Sequence, residues 1–127
     1  MPKTISAAEL PGLTGTILEP SSWLKITQQR INQFADATND HQFIHVSRIK
    51  AALTPFRKPI AHGFLSLSLL SYLNAENALI PDNLKMIINY GSEKPGQWLV
   101  KTEVSVEIEG EEKPALVATM LTLMIVA

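Results

Sequence analysis

The sequence contains no cysteine, which excludes a disulfide scaffold, a thiol nucleophile and a thiolate zinc site. It also has almost no excess charge, because 11 basic and 12 acidic side chains leave a formal net charge of -1. Without a basic excess to neutralise phosphates, nucleic acid and anionic membranes are not the expected partners.

Long apolar runs are missing as well. The longest, Ile60 to Leu73, is interrupted by polar residues and is shorter than the roughly 20 apolar residues that cross a bilayer. The first 15 residues lack the continuous apolar segment that a secretory signal needs. We therefore expect a cytoplasmic protein that forms one domain over residues 1–127, with a core drawn from the 46% of residues that are hydrophobic.

Helical spacing of apolar residues predicts a first helix from Gln28, after a capping hydroxyl at Thr27. This helix is expected to end near Asn39, whose short polar side chain tolerates a left-handed backbone. The following segment, His41 to Val46, is then predicted to be a loop that leaves the C-terminus of the helix.

Two further helices are predicted before the middle of the chain ends. Ser47 can cap a short helix that runs to Leu53 and stops before Pro55. Pro59 can begin the next one, because its missing N–H is no loss in the first turn. Its continuation, Ile60 to Leu73, is apolar nearly all round, which is typical of a buried helix.

The last third of the chain has the patterning of strands. Val100 to Ile108 alternates apolar and polar residues, as in a strand with one face in water. A turn over Glu109 to Pro114 leads to Leu116 to Val126, which is apolar on both faces and is expected to be more deeply buried, and Lys85 to Tyr90 is also rich in strand-forming residues. Helices followed by strands predict an α+β fold, with an antiparallel sheet packed on one long helix.

Asp40 and His45 are the first candidates for chemistry. One interpretation is structural: Asp40 helps to end a helix, and His45 is a hydrogen-bonded loop residue. The other is that the two side chains converge on one water, since two groups of different basicity around a water permit general acid–base catalysis. His41 and His45 have the spacing of some metal sites, but no carboxylate cluster completes the ligand shell, so we predict no metal and no other cofactor.

Gly63 is the second candidate. It can serve the close packing of a helix start, or it can let a substrate approach the first turn, where free N–H groups stabilise an oxyanion. A glycine at this point is a weak signal alone, but together with the apolar helix that follows it is compatible with an acyl-thioester pocket. We interpret His62, just before it, as a structural residue of the helix start rather than a metal ligand.

These segments together resemble a known family. The string FADATNDHQFIHV at Phe34 to Val46, followed by Pro55-Phe56 and by PIAHGFLSLSLL at Pro59 to Leu70, is similar to the MaoC-like dehydratases. Within them it is most similar to the nodulation-protein-N-like branch, which is related to (R)-specific enoyl-CoA hydratases. The resemblance covers most of the chain and implies a hot-dog fold, in which a long antiparallel sheet wraps a central helix.

The resemblance also implies a site and a reaction. In hydratases of this family an Asp-x4-His pair activates a water, which corresponds to Asp40 and His45, and a glycine N–H holds the thioester oxygen, which corresponds to Gly63. The implied reaction is reversible addition of water to a trans-2-enoyl-CoA, giving a (3R)-hydroxyacyl-CoA. The sequence does not decide which side chain of the pair takes the proton. The implied substrate contacts are Ile60, Ala61, His62 and Ser71.

Two departures from the family pattern affect these expectations. Ser47 stands where the family usually has an acidic residue, and helix capping survives this change. Beyond Gly91 the family has a further stretch with at least one long strand, whereas only Ser92 to Leu99 is present here, so we expect a sheet shortened by about one strand. A homodimer is implied, and the alternatives on this fold are a non-catalytic protein that binds acyl groups or a partner subunit, and a thioesterase.

Overall fold

The structure is a computed structural model that describes residues 3–75, 79–81 and 97–125. The chain divides into two compact units, one formed by Met1–Ser22 with Ser71–Ala127 and the other by Trp23–Leu70. The predicted strand at Lys85 to Tyr90 lies outside the described residues, and the single domain over residues 1–127 stays a prediction. None of the helices in the described ranges is long and apolar enough to span a membrane.

The Trp23–Leu70 unit begins with helix α1, Gln28–Thr38, where the sequence predicted a helix. The hydroxyl of Thr27 accepts the backbone N–H of Arg30 at 3.2 Å and so caps the first turn. At the other end Asn39 has φ 58°, the left-handed conformation that its short side chain tolerates. Both predicted ends of the helix are confirmed, which fixes where the chain leaves it at Asp40.

The segment after α1 is more helical than predicted. The loop expected at His41 to Val46 is wrong for its second half, because Phe43–Val46 forms a single turn, α2. Its backbone is closed by two hydrogen bonds, from the N–H of His45 to the Gln42 carbonyl and from the N–H of Ser47 to the Phe43 carbonyl, each 3.0 Å long.

Helix α3, Arg48–Ala51, follows immediately, and the predicted cap is confirmed because Ser47 Oγ accepts the N–H of Lys50 at 3.3 Å. The helix ends two residues earlier than predicted, since the chain turns through Ala52 and Leu53 before Pro55.

The predicted helix start at Pro59 is wrong. The N–H of Ile60 donates to the carbonyl of Ile44 at 2.9 Å, and this bond to α2 holds the segment outside a helix. Helix α4 begins only at Gly63 and runs to Ser68, and helix α5 covers Leu70–Ala75. The single long helix predicted from Ile60 to Leu73 is therefore two short ones, with a break at Leu69.

The predicted burial of this helical region holds for only part of its surface. Leu65 and Leu70 are buried, whereas Phe64 is 76% exposed and Tyr72 is 66% exposed. An apolar sequence on all sides thus does not place every side of the two helices in the core of this chain.

The other unit contains the strands. Strand β1, Lys3–Ile5, pairs in parallel with β2, Leu79–Pro81. A 3₁₀ helix follows β1 at Ala7–Leu13, and Glu9 caps it by accepting the N–H of Ser6 at 2.7 Å, a hydrogen bond that lowers the pKa of the Glu9 carboxyl.

Strands β3, Gln97–Val106, and β4, Leu116–Ile125, form an antiparallel hairpin close to the predicted bounds. The expected deeper burial of the second strand is wrong, because none of its described residues is buried, and Val117 is 71% and Leu121 66% exposed. The register explains this exposure, because Leu121 lies opposite Lys101 on the face that β3 presents to water.

Candidate active site

Three side chains converge within the Trp23–Leu70 unit: Asp40, His45 and His62. One carboxylate oxygen of Asp40 and one ring nitrogen of each histidine all lie within 4.8 Å of one another. The two imidazoles are buried, whereas the carboxylate of Asp40 is exposed. The predicted pair therefore does come together, and a third residue joins it from the segment before α4.

The imidazole of His45 is fixed in one tautomer. Its Nδ1 lies 2.8 Å from the carbonyl oxygen of Ile60, and a carbonyl only accepts, so Nδ1 carries the hydrogen. In the neutral ring Nε2 is then the free acceptor. The side chain of Gln28 donates to the main-chain carbonyl of His45 at 2.8 Å and fixes the backbone as well. His45 thus presents Nε2 as a base of defined orientation.

The imidazole of His62 has the opposite arrangement. Its Nε2 lies 2.9 Å from the main-chain oxygen of Asp40, so Nε2 carries the hydrogen. The same nitrogen is 4.0 Å from Oδ2 of that carboxylate, which is too far for a hydrogen bond. Nδ1 of His62 is buried and has no hydrogen-bond partner among the described residues. His62 therefore bonds to the backbone of Asp40 rather than to its carboxylate.

The two imidazoles are stacked face to face. Their centroids are 3.8 Å apart with an interplanar angle of 23°, and the ring of Phe34 also contacts His62, with centroids 4.9 Å apart and an angle of 56°. Ring-nitrogen lone pairs lie in the ring planes, so two nearly parallel rings do not direct them at one ion close to both. The geometry favours a hydrogen-bonded acid–base cluster over a metal centre, and the absence of a metal stays a prediction.

Gly63 is the first residue of α4, directly after His62. Its N–H has no acceptor inside the helix, as for every first-turn donor, and none among the described residues. A Cβ built at Gly63 would meet no described atom within 4 Å. Close packing against the described residues thus does not account for this glycine, and the open approach to its N–H stays a prediction.

Comparison with known proteins identifies the family. The MaoC-like domain matches residues 9–96. Nodulation protein N of Rhizobium leguminosarum bv. viciae is 38% identical over an alignment of 147 positions, which covers 94% of this chain and 91% of the relative. 3-Hydroxyacyl-thioester dehydratase Z of Mycobacterium tuberculosis (strain CDC 1551 / Oshkosh) is 38% identical over 139 residues, covering 89% and 91%. The chain belongs to the MaoC-like dehydratase family.

This membership confirms the predicted α+β hot-dog fold. It also confirms that the protein is an enzyme, a lyase of the hydratase/dehydratase class. The alignment with nodulation protein N extends over 147 positions, more than the 127 residues of this chain. The relative therefore contains residues that this chain lacks, which agrees with a shortened hot-dog fold.

The other residues predicted to contact substrate in this MaoC-like dehydratase differ in their surroundings. The carbonyl of Ile60 accepts the ring N–H of His45, and its N–H donates to the Ile44 carbonyl in α2. Ala61 is half-buried in the same non-helical segment. Ser71 is exposed in α5 and belongs to the other compact unit, so its contact with substrate stays a prediction.

Two supporting residues were not predicted. The sequence placed Gln28 and Phe34 on α1 without a role in the site. Gln28 was one polar residue among several on that helix, and only its bond to the carbonyl of His45 distinguishes it. Phe34 lies inside the family motif, and this is the one signal that marked it before its contact with His62 was known.

Proposed function

We propose that this MaoC-like dehydratase adds water reversibly to a trans-2-enoyl-CoA and forms a (3R)-hydroxyacyl-CoA, with Asp40, His45 and Gly63 as its catalytic groups. The observation that carries the proposal is the convergence of Asp40 and His45, whose Nδ1–H bond to the Ile60 carbonyl leaves Nε2 as the free acceptor. The exposed Gly63 directly follows His62, the third member of the cluster. The name of the mycobacterial relative, a 3-hydroxyacyl-thioester dehydratase, supports a thioester substrate.

The proposed steps balance in atoms and charge. Nε2 of His45 takes a proton from a water that the carboxylate of Asp40 orients, and the water oxygen bonds to C3 of the enoyl group. The electron pair of the C2–C3 double bond moves towards the thioester, whose oxygen accepts the N–H of Gly63 as negative charge develops. His45 then returns its proton to C2, and dehydration follows the same path backwards.

The reaction is tested with purified protein and a short trans-2-enoyl-CoA. Loss of the enoyl-thioester absorbance is expected, and the product should be oxidised by a (3R)-specific but not by a (3S)-specific hydroxyacyl-CoA dehydrogenase. Two outcomes contradict the proposal: release of free CoA from a saturated acyl-CoA, which indicates a thioesterase, and binding of acyl-CoA without turnover, which indicates a non-catalytic protein.

We further propose that the protein forms a homodimer through the exposed face of the β3–β4 hairpin. We also propose that it acts in the cytoplasm. Leu99, Val117 and Leu121 are between 66% and 71% exposed, and the register places them on one face of the two strands. Leu121 lies diagonally across from Leu99, and exposed apolar side chains that are neighbours in this way mark interaction surfaces. A second copy of the chain presents the same face, so the contact is self-complementary.

Leu121→Glu tests this dimer with little strain on the hairpin, because the new carboxylate lies opposite Lys101. Light scattering should give about twice the 14.0 kDa chain mass for the natural sequence, and a shift towards 14.0 kDa for the variant. Glu111→Gln, in the turn after β3, serves as the control and should leave the mass unchanged. A monomer in the unmodified protein contradicts the proposal.

A further inference from the structure

His62 is almost fully buried, with 2% of its surface exposed, yet the proposed reaction gives it no step. Its Nε2–H is bonded to the main chain of Asp40, and its ring contacts those of Phe34 and His45. A histidine in this position is either a second acid–base group or a support for the groups that react. The state of its two nitrogens separates these roles.

Neither nitrogen of His62 is arranged to exchange a proton with substrate. The hydrogen on Nε2 is donated to a carbonyl at 2.9 Å, and transferring it to a reacting atom would break that bond. Nδ1 is buried and has no partner among the described residues, so no hydrogen-bonded path leads from it within that part of the chain. The ring lacks the solvent access of the carboxylate of Asp40, which is exposed.

A neutral His62 also suits its stacking partner. When His45 holds the proton taken from water, it is a cation 3.8 Å from the centroid of the His62 ring. A neutral aromatic face attracts a cation, whereas a second imidazolium there would repel it. A proton on Nδ1 of His62 would in addition be a buried donor without an acceptor.

We propose that His62 is a neutral positioning residue with the tautomer opposite to that of His45. Its Nε2–H fixes the main chain of Asp40, and its ring face supports the imidazole of His45, so one buried side chain sets the geometry of both reacting groups. The kinetic consequences rest on the proposed hydratase function, while the tautomer can be measured without any substrate.

The tautomers are measured by two-bond ¹H–¹⁵N correlation spectra of protein labelled at its 3 histidines. At the pH of the activity assay, His62 should carry hydrogen on Nε2 alone and His45 on Nδ1 alone. The third histidine, His41, is exposed and bonded to Asp36, and provides the reference signal for a surface ring. A doubly protonated His62, or one protonated on Nδ1 alone, overturns the proposal, even if the protein catalyses no hydration.

Three variants separate the two supporting contacts. His62→Gln keeps an N–H donor for the Asp40 carbonyl without an aromatic face, His62→Phe keeps the face without the donor, and His62→Leu lacks both. Because a small misplacement of reacting groups lowers turnover steeply, kcat should fall roughly 10-fold in each of the first two and roughly 100-fold in the third, with KM changed less than about threefold.

The controls distinguish positioning from simple loss of fold. The concentration of folded protein is measured in each preparation and used to calculate kcat, so that unfolded protein does not lower the value. The control variant His41→Gln should have the same kcat as the unmodified protein. If the leucine variant does not fold, the glutamine and phenylalanine variants still decide the outcome. Unchanged kcat in both of these overturns the positioning role, whereas hydration that persists in Asp40→Asn and His45→Asn would contradict the proposed function instead.

Discussion

His45→Asn is expected to lower kcat for enoyl-CoA hydration by roughly 10²- to 10⁴-fold, the usual contribution of a general base. The asparagine amide nitrogen can take the place of Nδ1 and keep the hydrogen bond to the Ile60 carbonyl, which is 2.8 Å long in the present structure. Only the nitrogen that takes the proton is lost. The melting temperature should therefore stay close to that of the unmodified protein, while kcat falls by the factor given above.

His45→Ala provides the contrasting variant. It removes the base together with the donor for the Ile60 carbonyl, and a polar group left unpaired in a partly buried place costs about 1–3 kcal/mol. We expect the same loss of turnover together with a lower melting temperature. Asp40→Asn, which keeps the shape of the side chain and the main-chain acceptor of His62, should lose activity without a comparable loss of stability.

The matched control is His41→Asn, because that ring is exposed and bonded to Asp36, outside the cluster. It should retain full activity. If His45→Asn also turns over at the unmodified rate in folded protein, Nε2 is not the base and the mechanism is wrong. The kinetics thus test an assignment that the Asp-x4-His spacing left open and that the hydrogen bond to Ile60 supports.

Features that depend on neighbouring residues were predictable from the sequence. The hydroxyl of Thr27 and the left-handed Asn39 act within one turn of α1, and both are where the sequence placed them. The alternation of apolar and polar residues from Val100 onward likewise predicted a strand with one more exposed face, as β3 has. In each case the residue type and its immediate neighbours determine the conformation.

Features that depend on distant contacts were not predictable in the same way. A proline at position 59 is compatible with a helix start, but the bond from Ile60 to Ile44 holds that segment outside a helix until Gly63. The bond between His62 and Asp40 joins residues 22 positions apart, and no local pattern reveals it. The apolar sequence of β4 likewise did not reveal that Leu121 would face outward, because that depends on its register opposite Lys101 in β3.

Gly63→Ala is expected to reduce kcat/KM roughly 100-fold or more without destabilising the protein. The added methyl group would meet no described atom within 4 Å, so the fold accommodates it, and alanine favours helix more than glycine does. The same open space is where the proposed thioester oxygen approaches the N–H. Unchanged activity in this variant contradicts the proposed approach, and Gly12→Ala, at a glycine with equally open surroundings, is the control for a harmless methyl group.

Gly63→Pro separates the donor from the space around it. Proline is tolerated at the first helical position, and His62 before it has φ -61° and ψ 140°, the extended conformation that proline requires of its predecessor. The variant should therefore fold, yet it has no N–H for the oxyanion, and loss of one such donor costs roughly 10²- to 10³-fold in kcat. Turnover should be lower than in the alanine variant, because only proline removes the hydrogen bond as well as the space. A proline variant as active as the alanine variant would show that the Gly63 N–H does not hold the thioester oxygen.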